Sequence, residues 1–324
     1  MRQAVMVAGP TCSGKSALAL ALAERLGGTV INADSMQVYR ELRVLTARPT
    51  PEEEARVPHR LYGVRPAAEP GSVAWWRESA LREMEAADLP VLCGGTGMYL
   101  QSLAQGIADI PEPGPEARAE ARALLEAEGP AALHRRLAAV DPATAATLRP
   151  SDGQRLARAW EVWRGTGRGL ASWHAQKGTP APFRFRMIQL DPSRAGLREA
   201  IAGRFASMLR DGALEEARAL LALGLDPALP AMRAHGVPEL AAHLRGELGL
   251  AAAAERAVFA TGRYVKRQAT WFRNRSIADP SCTHTIRARV RDFAQFSETE
   301  RGEIFSFVSG PVDAAQQGCQ RGAS

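Results

Sequence analysis

Apolar residues come first in short runs and later at helical spacing. Residues 4–8, Ala-Val-Met-Val-Ala, form a continuous apolar run that reads as a buried strand, and it enters a turn punctuated by Gly9 and Gly14. Leu18, Leu22 and Leu26 then fall on one face of a helix over 16–26. A second strand, 29–32, ends at Ala33-Asp34-Ser35. After a Pro- and Glu-rich connection come a short strand at 61–64, a helix at 74–87 and a strand at 90–93 that closes on Gly94-Gly95-Thr96-Gly97. Strands alternating with helices predict a parallel sheet covered on both faces, an α/β fold.

The texture changes at Pro111-Glu112-Pro113-Gly114-Pro115. From 116 to 173 the pattern is entirely helical, with breaks at Gly129-Pro130, Asp141-Pro142 and Pro150-Ser151-Asp152. Strand character returns only at 185–190. Residues 113–180 therefore read as a helical insertion between two strands of the main domain, which takes up 1–112 and 181–292. Helices are expected at 194–211, 214–223, 238–244 and 251–273. Residues 293–324 show no period and read as a tail of low order, with a frayed end at Gln317-Gly318-Cys319-Gln320-Arg321-Gly322.

Composition narrows the classes. The 324 residues are 46% hydrophobic, enough for a core without disulfide or metal, and no apolar run approaches the roughly 20 residues that span a bilayer. No charged leader precedes the first strand, so neither a membrane nor a secreted protein is expected. Four scattered cysteines, Cys12, Cys93, Cys282 and Cys319, show no paired spacing, which fits a reducing cytoplasm. The net charge of +6 favours a polyanionic partner, although base composition explains much of the arginine content. Only Lys15, Lys177 and Lys266 are lysines.

Lys15 stands where chemistry needs it. Gly9-Pro10-Thr11-Cys12-Ser13-Gly14-Lys15-Ser16 matches G-x-x-x-x-G-K-[ST] between a strand and a helix, the context of a phosphate-binding loop. The glycines let backbone N–H groups converge on phosphate oxygens, Lys15 adds a point charge, and the Ser16 hydroxyl suits a phosphate-bound magnesium ion. The fold class is thus a P-loop parallel sheet flanked by helices, with an all-helical insertion domain. No later strand ends in the acid that an ordinary NTPase uses. Asp34, just after the second strand, is placed to face the same crevice, with an N-cap or turn aspartate as the alternative. Thr96, in the glycine turn, is a candidate at a reacting centre or an N-cap. Eight Lys or Arg and a single acid lie between Thr261 and Arg291, with Arg256, Arg263 and Arg267 on one helical stripe beside Lys266. Basic charge interleaved with Tyr264 and Trp271 suits nucleic acid or a solvated face. In the insertion, Gln154, Arg155 and Arg158 form a polar patch beside Leu156, Trp160 and Trp163, which look like packing. No histidine has ligand spacing.

These blocks, with Asp34-Ser35-Met36-Gln37-Val38-Tyr39, Pro58-His59-Arg60-Leu61, Gly94-Gly95-Thr96-Gly97-Met98-Tyr99, Gln154-Arg155 through Arg158-Ala159, and Lys266-Arg267-Gln268 with Thr270-Trp271-Phe272-Arg273, resemble the tRNA dimethylallyltransferase (tRNA isopentenyltransferase) family over about residues 3–275. The resemblance implies transfer of a dimethylallyl group from dimethylallyl pyrophosphate to the exocyclic amine of the adenosine 3′ of the anticodon. It implies Asp34 as general base, Lys15, Thr96 and Arg233 as catalytic partners, the loop Gly9 to Ser16 and Mg2+ as the pyrophosphate site, and a cytoplasmic monomer as the working form. For tRNA it implies contacts from Asp34, Ser35, Met36, Gln37, Thr96, Arg118, Gln154, Arg155, Leu156, Ala157, Arg158, Lys266 and Arg267, with the insertion as a clamp. The chain departs from the family in reading Arg40-Glu41 and Leu45-Thr46-Ala47-Arg48-Pro49 where glycines are common, and in carrying Cys12 where alanine is frequent. A small-molecule kinase shares the loop and sheet and is the main alternative. A nucleotide-regulated RNA-binding protein without covalent chemistry is the other.

Overall fold

The structure, a computed structural model, describes residues 1–176 and 178–310. In chain order the elements are β1 (Arg2–Ala8), α1 (Lys15–Leu26), β2 (Thr29–Asn32), α2 (Pro51–Arg56), β3 (His59–Arg60), α3 (Val73–Ala86), β4 (Pro90–Gly94), α4 (Gly97–Gln105), α5 (Pro115–Val140), α6 (Pro142–Ala145), α7 (Gly153–Thr166), α8 (Leu170–His174), β5 (Phe183–Leu190), α9 (Arg194–Arg210), α10 (Ala213–Ala222), α11 (Val237–Leu244), α12 (Leu250–Asn274), β6 (Thr283–Ile286) and α13 (Glu298–Ser309). The strands form one sheet in the order β3-β2-β4-β1-β5-β6, with every pair parallel.

The register positions the chemistry. Ala8 lies opposite Gly94, and Asn32 lies opposite Cys93, so β1, β2 and β4 end level with one another. The segments that follow them, beginning at Gly9, Ala33 and Gly95, all leave the same edge of the sheet, where open α/β sheets bind ligands. Alternation along β1 explains its two-sided burial: Ala4, Met6 and Ala8 pack with Ile31, Trp76 and Leu100, while Val5 and Val7 pack with Leu18, Leu22 and Val91. Trp76 stacks on Tyr99 at 4.2 Å and donates its indole N–H to the Asn32 carbonyl at 2.8 Å, which ties α3 to the end of β2.

Two compact units divide the chain: Met1–Ala104 with the chain from Ala181 onward, and Gln105–Pro180. The second unit contains helices only, and its boundary falls eight residues before the sequence breaker at 113. Its helix α5 is interrupted at Gly129, whose φ of 76° no helix interior tolerates, immediately before Pro130. Its core joins Leu133, Leu137, Leu156, Ala159 and Trp160. Among the described residues no helix is long and apolar enough to cross a membrane.

Three expectations require correction. The strand expected at 61–64 is instead β3, because Val30 and Ile31 pair with His59 and Arg60, and Leu61 at φ 64° turns the chain out of the sheet. The tail from 293 is structured as far as it is described: α13 starts with a capping box between Ser297 and Glu300 and buries Ile304 and Val308. The frayed end placed at 317–322 lies outside the described residues. Thr283-His284-Thr285-Ile286, a segment with no expected structure, adds β6 beside β5. Leu156, expected among the tRNA contacts, is fully buried in the core of the helical unit and cannot touch RNA.

That burial has a measurable consequence. Leu156→Ala should destabilise the helical unit by about 2–5 kcal/mol, whereas Arg155→Ala, on the exposed face, should change stability by about 0.5 kcal/mol at most. Urea unfolding followed by the fluorescence of Trp160 and Trp163 separates the two.

Candidate active site

Gly9 to Ser16 leave the end of β1 and wrap into α1. Cys12 and Gly14 adopt left-handed conformations, φ 66° and 94°, which turn the backbone N–H groups inward. A Cβ at Gly14 would collide with the Val290 carbonyl, so only glycine fits there. Behind the loop, the Val290 N–H donates to the Ser13 carbonyl at 2.9 Å and Arg289 Nε donates to the Cys12 carbonyl at 3.0 Å. Arg204 Nη1 approaches Cys12 Sγ at 3.8 Å. The first turn of α1 has no acidic side chain and no side-chain cap, so its N-terminal field stays open to an anion. Ser13 is fully buried, and its Oγ has no hydrogen-bond partner among the described residues.

Lys15 folds back over this loop and donates to the Pro10 carbonyl at 3.3 Å. Burial pushes its ammonium below the ordinary lysine value, and the Asp34 carboxylate is the strongest influence pulling it back up. The electrostatic coupling thus links the start of α1 to the turn that follows β2. Cys93, at the tip of β4, interacts with the Ser16 hydroxyl; burial pushes its thiol up to about 11, so it is neutral near pH 7.

Asp34 is both a turn residue and a site residue. Its N–H donates to Asn32 Oδ1 at 2.8 Å, and Asn32 Nδ2 donates to the carbonyls of Asp34 and Leu61, each at 3.0 Å. Asp34 Oδ1 accepts the Met36 N–H at 3.0 Å. Its second carboxylate oxygen accepts no hydrogen bond among the described residues. Thr96 locks onto the same turn: its Oγ1 accepts the Ser35 N–H at 2.9 Å and donates to Ser35 Oγ at 3.3 Å.

Helix α12 joins these pieces through residues that the motif analysis passed over. Gln268 is buried; its Oε1 accepts the Thr11 N–H at 2.9 Å and its Nε2 donates to the Gly95 carbonyl at 3.0 Å. Cβ atoms at Gly95 and Gly97 would strike Gln268 and Trp271, so the glycines of this turn admit the helix. Tyr264 lies one turn earlier. Its ring sits 4.7 Å from His235 and beneath the Arg267 guanidinium at 5.6 Å. Burial first, then the Asp34 charge, raises the Tyr264 hydroxyl above its ordinary value, so it stays protonated. The sequence signal for these residues was available: Tyr264 and Gln268 occur four apart on the apolar face of a helix whose other face is basic.

The remaining expected residues divide by location. Lys266 and Arg267 are exposed on α12 and, with Arg263, Trp271 and Arg275, line a groove of about 760 Å³. Ser35, Met36 and Gln37 are half-buried beside Asp34, and Gln37 Nε2 donates to the carbonyls of Thr46 and Ala47 at 3.0 and 2.9 Å. The segment that lacks the family's glycines is held by Glu216, whose carboxylate accepts the N–H groups of Arg43, Val44 and Leu45 at 2.7, 2.7 and 2.8 Å, with the Leu45 side chain buried. Arg233 is exposed at the end of a 3-10 turn, Ala231–Arg233, and its side chain makes no polar contact among the described residues. In the helical unit, Gln154, Arg155 and Arg158 are exposed and Ala157 is half-buried; Arg155 pairs with Asp152 at 3.4 Å and Arg158 with Glu161 at 3.2 Å. Arg118 pairs with Glu112.

Ser16 Oγ is the one expected metal ligand. Among the described residues no group of three or more His, Cys, Asp or Glu side chains could hold a metal ion. A lone hydroxyl at a phosphate loop fits magnesium, which takes most of its ligands from phosphate oxygens and water.

Residues 37–275 match the family model described as IPP transferase, and residues 2–71 match one described as isopentenyl transferase. The chain belongs to the IPP transferase family. Curated relatives of the family include the tRNA dimethylallyltransferase of Granulibacter bethesdensis, 61% identical over 95% of this chain and 98% of its own, and that of Acidiphilium cryptum, 62% identical over 95% of each. Among solved family structures, the full-length tRNA isopentenylpyrophosphate transferase of Bacillus halodurans is 32% identical, covers 96% of each chain and aligns with a TM-score of 0.67.

His235 gives the site a pH signature. Burial lowers its imidazolium below the usual value, against the pull of Glu239 and with the push of Arg267. A depressed folded-state value means that the unfolded chain binds the proton first, so stability is lost as pH falls below about 6.5. His235→Phe retains a ring against Tyr264 and removes the titration. The wild type should lose more stability than this variant between pH 7 and pH 5 in thermal melts.

Proposed function

We propose that the protein, acting as a cytoplasmic monomer, transfers a dimethylallyl group from dimethylallyl pyrophosphate to the exocyclic amine of the adenosine 3′-adjacent to the anticodon in tRNA, giving N6-dimethylallyladenosine. The observation that carries the reading is a phosphate loop whose lysine is electrostatically coupled to an aspartate held by hydrogen bonds on the same sheet edge, in a chain of the IPP transferase family.

The chemistry demands this pairing. An adenine amine is a weak nucleophile because its lone pair is delocalised into the ring, so its proton must be taken as the C–N bond forms. Asp34 accepts that proton; Met36 holds Oδ1 and leaves the second oxygen for the amine. As the allylic C–O bond breaks, both its electrons pass to the pyrophosphate. Lys15, the loop N–H groups and the Ser13 hydroxyl stabilise that growing charge, and Arg233 reaches the same phosphates from its exposed turn. Magnesium, held through Ser16, supplies Lewis-acid stabilisation of the pyrophosphate when bound. Thr96, which grips the Asp34 turn through Ser35, is assigned a place beside the reacting groups.

The tRNA is held through phosphates and reached through its anticodon loop, where a base must leave its stack to be alkylated. Arg263, Lys266 and Arg267 present the basic face of α12 to the backbone, Ser35, Met36 and Gln37 flank the base, and Gln154, Arg155 and Arg158, with Arg118, offer contacts from the helical unit.

Two measurements test the reading. Asp34→Asn, incubated with magnesium, unmodified tRNA and dimethylallyl pyrophosphate, should lose about 10²- to 10⁴-fold in turnover while retaining tRNA affinity, with nucleoside mass spectrometry reporting the prenylated adenosine; a wild type that makes none and instead turns over ATP on a small acceptor marks a kinase. Replacing Lys266 and Arg267 together with alanine should weaken tRNA binding and lower its logarithmic salt dependence by about 1–2.

A further inference from the structure

The segment that follows β6 has no part in the chemistry described above, yet it lies against the phosphate loop. Arg289 Nε donates to the Cys12 carbonyl at 3.0 Å, and the Val290 N–H donates to the Ser13 carbonyl at 2.9 Å. Two consecutive peptide groups of the loop are thereby fixed, and their planarity carries the effect across. In a trans peptide the N–H points opposite to the C=O that precedes it. The bond to Cys12 turns the Ser13 N–H away from the segment, where the Pro10 carbonyl accepts it at 3.2 Å; Lys15 Nζ donates to the same carbonyl at 3.3 Å. The bond to Ser13 turns the Gly14 N–H away likewise, and that N–H makes no hydrogen bond among the described residues. Gly14 is the N-cap of α1, so its N–H stands at the helix start, where donors converge on an anion.

The segment is itself braced. Gln295 Oε1 accepts the Arg291 N–H at 2.8 Å and its Nε2 donates to the Arg289 carbonyl at 3.0 Å, so one amide clamps the chain on both sides of Val290. The Val290 side chain is buried in the cluster that includes Leu18 of α1 and Phe296, Ile304 and Val308, and its carbonyl stands where a Cβ on Gly14 would have to be. At the start of the segment, the Asp191 N–H donates to the Ile286 carbonyl at 2.9 Å and ties it to the end of β5. We propose that residues 286–295 form a strap that sets the phosphate loop: Arg289 and Val290 are positioning residues that orient the Cys12–Ser13 and Ser13–Gly14 peptides, so that the Gly14 N–H is presented to a pyrophosphate oxygen, and Gln295 holds both in place. The inference rests on the phosphate-loop half of the transferase reading. A loop whose peptides are already turned loses less freedom when the ligand arrives, and that saving appears as affinity. The strap thus acts on the pyrophosphate through the loop and touches none of the residues assigned to tRNA.

The test uses Gln295→Leu and Arg289→Ala, singly and together, titrated calorimetrically with magnesium pyrophosphate. Gln295 is exposed and its hydrogen bonds go to the strap, so its replacement changes neither the loop's own residues nor its charge. Each single variant should raise the Kd for pyrophosphate about 5- to 20-fold, with the Kd for tRNA within about twofold of wild type. The double variant should bind within about twofold of the weaker single one, because both substitutions release the same strap. The loss in Arg289→Ala should keep its size between about 0.1 and 0.5 M salt, since orientation is not screened as charge is. Unchanged pyrophosphate affinity in either single variant, losses that multiply in the double variant, or a loss that salt abolishes each overturn the proposal. Should Gln295→Leu fail to fold, the salt-independent loss in Arg289→Ala decides it. A wild type that does not bind magnesium pyrophosphate overturns both the strap and the phosphate-loop reading. One that binds it, with the variants weakened as expected, yet forms no prenylated adenosine leaves the strap standing and overturns the transferase reading alone.

Discussion

The site depends on one carboxamide. Gln268 closes the Thr11 N–H and the Gly95 carbonyl, two backbone groups on loops that leave different strands and share no other partner. Each, left unpaired in a buried position, would cost about 1–3 kcal/mol, so the amide fixes both loops with one buried side chain. The arrangement constrains the sequence on either side. Gly95 and Gly97 must lack Cβ atoms for Gln268 and Trp271 to seat, and the helix that carries them must lie across the sheet edge. Once α12 is held there by its inner face, its outer face stands beside the site, and that is where Arg263, Lys266 and Arg267 occur. A single helix thus braces the phosphate loop against the glycine turn and carries cations on its outer face.

Asp34 shows how a local turn can serve chemistry. Asn32 fixes the Asp34 backbone from both its N–H and its carbonyl, and Trp76 fixes Asn32 in turn. The carboxylate spends one oxygen on the Met36 N–H, as aspartates in such turns do. That bond sets the plane of the group, so the other oxygen is aimed without needing a second side chain to aim it. A structural turn and the base proposed for Asp34 are therefore compatible: the same turn that holds its backbone orients its carboxylate.

Legibility followed the range of the interactions. The phosphate loop, Asp34 and the glycine turn could be read from the chain because each is a local pattern, and the parallel pairing that the alternation implied brings their strand ends to one edge of the sheet. For Gln268 the sequence carried its place on the inner face of the helix but not its role, because its partners lie 173 and 257 residues away along the chain. Leu156 went wrong for the opposite reason. It sits inside a polar stretch that resembles a family motif, and only the helix period, which places it with Trp160 on the inner face, excludes it from the surface. The tail was misread because α13 is short, although the capping box at Ser297 marked the helix start, and β6, before the tail, is an edge strand of four residues, too brief for periodicity.

The charge balance explains why this phosphate loop lacks an acid at the tip of β4. A base that must take a proton beside a pyrophosphate faces a conflict, since each carboxylate near the leaving group opposes the charge that develops on it. Cys93 occupies the strand end next to the loop and stays neutral, because burial pushes its thiol up to about 11. The carboxylate whose charge reaches Lys15 is that of Asp34, and Lys15 answers it in kind. In the reaction proposed above, the same lysine offsets the repulsion between base and pyrophosphate and stabilises the leaving group, so its position matters to both halves of that reaction. An acid in place of Cys93 would divide that single charge between two carboxylates and leave the pyrophosphate with less of it.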